Sequence, residues 1–130
     1  MKILIAEDDS VSRLALEILL KKLGHTVAAC EDGSVAWQAF EQGDYCCVIS
    51  DWVMPEIDGL ELCRMIRESN RREYCYFIMS TTKAAKEDFV AAITAGADDY
   101  ITKPLNKEDV AGRLRLAERV LERMQFRRQA

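Results

Sequence analysis

The 130-residue chain is 49% hydrophobic and 31% charged, the composition of one globular domain with a real core. Its N-terminus, MKILIAEDDS, holds a four-residue apolar run, too short for a signal peptide, and nothing approaches the ~20 apolar residues of a membrane span. The net charge of −4 conceals an asymmetry: residues 1–105 carry 11 Lys+Arg against 18 Asp+Glu, a net of −7, and residues 106–130 carry 7 against 4, a net of +3.

Lys2 to Ala6 reads as a strand that ends abruptly in Glu7-Asp8-Asp9. Ser10 is the expected N-cap of a helix reaching Leu23 and stopped by Gly24. Arg13, Glu17 and Lys21 form a thin polar stripe on that helix, so it is expected to be buried over much of its surface. Thr26 to Cys30 is a second strand, and a turn at Glu31-Asp32-Gly33 leads to a helix from about Ser34 to Gln42, stopped at Gly43. Cys46 to Ile49 is too short for a buried helix and suits a buried parallel strand, which stops at Asp51. Turn residues follow, with Pro55 and Asp58-Gly59, before a helix from Gly59 to about Arg67. Tyr74 to Met79 is the fourth strand, ending in Ser80-Thr81-Thr82-Lys83. Lys86 to Ala95 is a helix closed by Gly96, and Asp98 to Thr102 is a fifth strand ending in Lys103-Pro104. Asn106 caps the last helix, with Glu108 and Asp109 in its first turn as the helix dipole favours.

Strands and helices alternate throughout, which predicts a doubly wound α/β domain with a parallel sheet and helices on both faces. The five cysteines, Cys30, Cys46, Cys47, Cys63 and Cys75, are odd in number and lack a CxxC. They read as buried, reduced thiols of a cytoplasmic protein.

Strands of a parallel sheet end on one side, where open α/β sheets bind their ligands. The ends here carry Glu7-Asp8, Asp51, Thr81 and Lys103. Three crowded carboxylates repel one another, and a hard divalent cation held by oxygens, Mg²⁺, relieves that repulsion. With one lysine and one hydroxyl added, the set meets the needs of phosphoryl transfer to a carboxylate.

On these residues, together with DWVMPEIDG and AGADDYITKP, the chain from Lys2 to about Leu121 resembles a bacterial two-component response-regulator receiver domain. The resemblance implies a flavodoxin-like (βα)5 three-layer sandwich with sheet order 2-1-3-4-5. It makes Asp51 the phospho-acceptor, Lys103 and Thr81 its catalytic partners, and Thr81 and Tyr100 the switch pair. It places Mg²⁺ on Asp8, Asp51 and the backbone carbonyl of Val53, with Glu7 acting through a water. It also puts Val53 and Lys83 at the positions that set phosphate lifetime, and implies a cis bond at Lys103-Pro104. Asp9 is expected to face solvent without binding metal.

The function so implied is a phosphorylation-dependent signalling switch in a histidine-to-aspartate phosphorelay, not a turnover enzyme. Its partners would be a sensor histidine kinase or a histidine phosphotransfer protein, and its output either stand-alone protein interaction or control of a fused C-terminal domain. The alternative is an Mg²⁺-dependent aspartyl-phosphate hydrolase of similar fold. A dehalogenase-type phosphatase would carry a DxD on its first strand, a spacing Glu7-Asp8-Asp9 lacks. A dinucleotide enzyme would need a GxGxxG, and no GxG occurs.

The last helix has a second implication. Val110, Leu114, Ala117, Leu121 and Met124 step by four and three, the 3.5 period of a coiled-coil seam. A helix from Asn106 to about Phe126 runs roughly 30 Å at 1.5 Å per residue, longer than the sheet it covers. The final turns are therefore expected to overhang, leaving Leu121, Met124 and Phe126 unpacked. The expected division is a receiver over 1–121 and a helical extension over 122–130, serving as a dimer seam strengthened by phosphorylation, as a lead to an output domain or, given its arginines, as a frayed and solvated end. The arginines Arg119, Arg123, Arg127 and Arg128 are not expected to bind nucleic acid, because the acidic body repels phosphate backbones.

Overall fold

The computed structural model describes residues 1–71 and 73–129, with side chains as far as Gln125. The expectations for Phe126, Arg127 and Arg128 lie outside the described side chains. Five strands alternate with five helices: β1 (Lys2–Ala6), α1 (Ser10–Lys22), β2 (Thr26–Cys30), α2 (Gly33–Gln42) and β3 (Cys47–Asp51). They continue as α3 (Gly59–Glu68), β4 (Tyr76–Thr81), α4 (Lys86–Ala95), β5 (Asp99–Thr102) and α5 (Lys107–Gln129). Every strand pair is parallel, in the order β2-β1-β3-β4-β5. The expected three-layer α/β sandwich is therefore the fold.

The sheet is apolar on both faces because helices cover both. Ile3, Ile5, Ile49 and Ile78 face α1 and α5, where they meet Leu16, Leu20, Val110 and Leu114. Leu4, Val48, Phe77 and Met79 face the other way, against Phe40 of α2, Leu62 and Ile66 of α3, and Ala92 of α4.

Several expectations change in three dimensions. Asp9, not Ser10, caps α1, its carboxylate accepting the Ser12 N–H at 2.8 Å. A carboxylate at that end also meets the helix dipole favourably. Nor is α1 buried over much of its surface: Leu16 and Leu20 are buried, but Val11, Leu14 and Ile18 are exposed. A helix lying on one side of a sheet has one covered face, however apolar its other faces are. The strand β4 begins two residues late, because its ladder with β3 starts at Cys47 and Tyr76. Tyr74 instead sends its hydroxyl to Asp98. Four of the five free cysteines are buried, while Cys46 is half-buried.

The overhang argument for α5 also fails at Leu121. Val110, Leu114 and Ala117 are buried in the domain's own core, and Leu121 packs against that same cluster beside Val120. Three of the five seam positions are thus spent inside the domain. Leu121 and Met124 line a groove with Met1, Tyr45, Cys46 and Tyr74, at the end of the sheet where the strands begin.

Candidate functional site

Glu7, one residue past β1, and Asp51, the last residue of β3, lie side by side because β1 and β3 are neighbours in register. Asp8 follows Glu7 into the loop and is exposed. One carboxylate oxygen from each of the three lies within 4.8 Å of the others. The set is all oxygen and bears three formal negative charges, which fits a hard divalent cation such as Mg²⁺.

Lys103 reaches this group from beyond β5. Its ammonium bonds Glu7 Oε1 and lies 3.2 Å from Asp51 Oδ2. Burial alone would lower the Lys103 pKa, but the two carboxylates outweigh it and hold the pKa above the ordinary lysine value. Glu7 is buried, so its charge has no solvent to stabilise it and depends on that ammonium. Arg13 of α1 braces the same strand end, donating to the Glu7 carbonyl at 2.8 Å. The Lys103–Pro104 peptide bond is cis, as the resemblance implied.

Asp51 is held from its other side. Its Oδ1 accepts the Trp52 N–H at 2.7 Å, leaving Oδ2 toward Lys103. The first residue of α3, Gly59, donates its N–H to the Trp52 carbonyl at 2.8 Å. A Cβ at Gly59 would sit 2.2 Å from the Asp51 carbonyl oxygen and 2.9 Å from Met79 Sδ, so the helix can start this close only as glycine. The Asp58-Gly59 turn read from the sequence is therefore a packing requirement of the acidic site. Val53, two residues past Asp51, is 61% exposed.

Thr81 and Tyr100 form a second group beside the first. Thr81 is buried, and its hydroxyl accepts the Lys83 N–H at 3.2 Å. The Tyr100 hydroxyl donates to the Lys83 carbonyl at 2.5 Å. Its ring meets Trp52 edge-on at 6.4 Å between centroids and Phe89 at 5.6 Å. Burial, assisted by Asp88, raises the Tyr100 pKa, so the hydroxyl stays a donor.

The structure thus gathers Glu7, Asp8, Asp51 and Lys103 into one cluster, and Thr81, Lys83 and Tyr100 into another. In the sequence Trp52 stood out only as part of the stretch DWVMPEIDG. In the structure its backbone serves the first cluster and its ring the second. A tryptophan directly after the strand-end aspartate was the signal available. Ser80 was also passed over: among the described residues its hydroxyl is buried without a hydrogen-bond partner, one strand across from Asp51.

Comparison with known proteins now gives this geometry a family. Residues 3–115 match the response regulator receiver domain. The chain belongs to that family. The transcriptional regulatory protein TcrA of Mycobacterium tuberculosis is 38% identical over 119 residues, 92% of this chain but 46% of TcrA, so the chain spans about half of that relative. Chemotaxis protein CheY1 of Helicobacter pylori is 36% identical over 83% of this receiver and 89% of its own length. A CheY-like receiver from Methanospirillum hungatei superimposes with a TM-score of 0.88 at 25% identity, covering 95% of this chain and 97% of that one. The receiver of a Pseudomonas aeruginosa sensor histidine kinase, solved with magnesium coordinated in its active-site cleft, gives 0.79 at 29% identity. It covers 91% of this chain and 94% of its own. Among the described residues of this receiver no helix is long and apolar enough to cross a membrane.

Proposed function

We propose that this receiver is a phosphorylation-dependent switch that takes a phosphoryl group onto Asp51 from a phosphohistidine of a sensor kinase or phosphotransfer protein, or from a small phosphodonor. The observation that carries this is the convergence of Glu7, Asp8 and Asp51 within 4.8 Å, with the Lys103 ammonium 3.2 Å from Asp51.

An Asp51 carboxylate oxygen attacks phosphorus as the bond from phosphorus to the donor nitrogen or oxygen breaks, its electron pair leaving with the donor. Asp51 is the nucleophile because it stands between the Glu7-Asp8 pair and Lys103. Mg²⁺, when bound by Asp8, Asp51 and the Val53 carbonyl with Glu7 acting through a water, supplies charge neutralisation at the phosphoryl oxygens. Lys103 contributes a fixed cation on the other side, pairing with a phosphoryl oxygen. Thr81 then turns its hydroxyl to the phosphoryl group, giving up the Lys83 N–H, and Tyr100 moves into the space vacated. That rearrangement carries the signal to the α4–β5–α5 surface, with a coupling of ~1–3 kcal/mol as is usual for such switches. Output is then exerted on a partner protein or on a domain joined after α5. The receiver catalyses no reaction beyond gaining and losing its own phosphoryl group.

Incubation with acetyl phosphate and Mg²⁺ tests the reading by intact mass. Wild type should gain one phosphoryl group and Asp51→Asn none. Stoichiometric labelling of Asp51→Asn, or continuous release of phosphate without a labelled protein, would overturn it.

A further inference from the structure

Lys83 is the one residue at which the parts of the second cluster meet. Its N–H bonds the Thr81 hydroxyl, its carbonyl accepts from the Tyr100 hydroxyl, and its ammonium lies over the Trp52 ring, 5.4 Å from the centroid. The ring on which it rests is well fixed. Trp52 is 8% exposed, its carbonyl is held by Gly59, its N–H is bound to Asp51, and its indole abuts Tyr100. A cation seated on a rigid, buried indole gains more than one on a mobile surface ring, because the aromatic face does not have to be ordered first.

Without that seat, a four-carbon side chain leaving the loop after β4 would be free to swing toward the negative charge at the end of β3. The acidic cluster would attract it, and a phosphoryl group on Asp51 would attract it more. We propose that Trp52 is a positioning residue that docks the Lys83 ammonium away from Asp51, keeping the open side of the acceptor accessible to water. Trp52 thereby shortens the life of the phosphorylated state. The inference rests on Asp51 being the acceptor and adds the residue through which Lys83 acts. Hydrolysis of the acyl phosphate places a water oxygen on phosphorus and returns the Asp51 carboxylate, releasing inorganic phosphate. A free Lys83 ammonium paired with a phosphoryl oxygen would stand in the path of that water.

Two measurements on the full chain decide the matter. In unphosphorylated protein, the ring current of Trp52 should shift the Lys83 ε-methylene protons upfield, strongly in wild type, partly in Trp52→Phe, and not in Trp52→Leu. After loading with acetyl phosphate and Mg²⁺ and removal of the donor, Trp52→Leu should lose phosphate about threefold more slowly than wild type, with Trp52→Phe close to wild type. In a Lys83→Gln background the same Trp52→Leu change should have no effect. Equal slowing in both backgrounds would show that the indole does not act through Lys83, and an unchanged rate in Trp52→Leu would overturn the role. Failure of wild type to take up phosphate would sink the receiver reading and this role together, while the ring-current shift would still report the contact. Trp52 belongs to the core, so Trp52→Phe, which keeps an aromatic seat, and Lys83→Gln, which alters a half-buried loop residue, separate loss of the seat from a folding defect.

Discussion

The Lys103 ammonium lies 3.2 Å from Asp51 Oδ2 while also bonding Glu7, so one cation spans the two most enclosed carboxylates of the site. Lys103→Ala would leave Glu7 buried without a counter-charge. Breaking such a pair from one side should cost about 3 kcal/mol in metal-free protein. Added Mg²⁺ should recover part of that loss, since a cation on the same carboxylates replaces the missing charge. Urea midpoints with and without Mg²⁺ measure both effects. An identical deficit in the two conditions would mean that these carboxylates do not hold the metal.

Tyr100→Phe removes the hydrogen bond to the Lys83 carbonyl and keeps the ring against Trp52 and Phe89. Amide exchange in the loop from Thr82 to Ala85 should speed up by a factor of about 5, the equivalent of ~1 kcal/mol for one hydrogen bond. Phosphoryl uptake at Asp51 should be unaffected. Thr81→Ala should also take up phosphate, yet show no phosphorylation-linked change in exchange around Tyr100.

Arg67 joins α3 to the segments that lead into β4 and β5. Its guanidinium donates to the carbonyls of Gly96 and Cys75 and to Asp98, at 2.9, 2.7 and 2.7 Å. Asp98 also accepts the Tyr74 hydroxyl and the Phe77 N–H. Arg67→Ala should therefore destabilise by about 3 kcal/mol, several times the ~1 kcal/mol expected for Tyr74→Phe. Arg67→Lys should rescue little, because an ammonium cannot serve three acceptors in the plane of a fork. Chemical denaturation of the three variants gives the ranking.

Burial pushes the Cys63 thiol up to about 11 and the Cys75 thiol and Tyr76 hydroxyl up to about 12. Arg67 opposes the shift at both thiols, and carboxylates beyond Tyr76 reinforce its shift. Ordinary thiols ionise near 9.0 and phenols near 10.0, so the unfolded chain releases these protons before the folded one. The stability tied to them is fully present below about pH 9 and is lost as pH rises toward 12. Urea midpoints should be flat across neutral pH and fall steadily above pH 9. A rise above pH 9 would contradict the burial of these groups.

Ending the chain at Glu118 would strip Val120 and Leu121 from the α1–α5 core cluster. That should cost about 2 kcal/mol of stability, the loss expected for apolar side chains no longer removed from water. Because the seam faces the domain's own sheet through Leu121, both lengths should have the mass of a monomer in solution. A dimer of the longer form alone would instead place the remaining turns of α5 at an interface between copies.

The order of elements, the parallel sheet and the carboxylates, hydroxyl and lysine at strand ends were legible in the chain, because they follow from local signals. Short apolar runs stop at turn residues, helices stop at Gly24, Gly43 and Gly96, and a parallel sheet delivers all its strand ends to one side. Which strands adjoin could not be read from spacing, and came only from resemblance. The tertiary structure decided what depends on neighbours distant in sequence. Periodicity cannot say which apolar face of a helix is covered, so Val11, Leu14 and Ile18 proved exposed and the α5 seam as far as Leu121 proved to pack within the domain. Lys103 lies 96 positions from Glu7, and only the crossing of the sheet from beyond β5 brings its ammonium there. Trp52, next to Asp51 in sequence, carries the Lys83 cation on its ring because β3 and β4 are adjacent strands whose ends open on the same side.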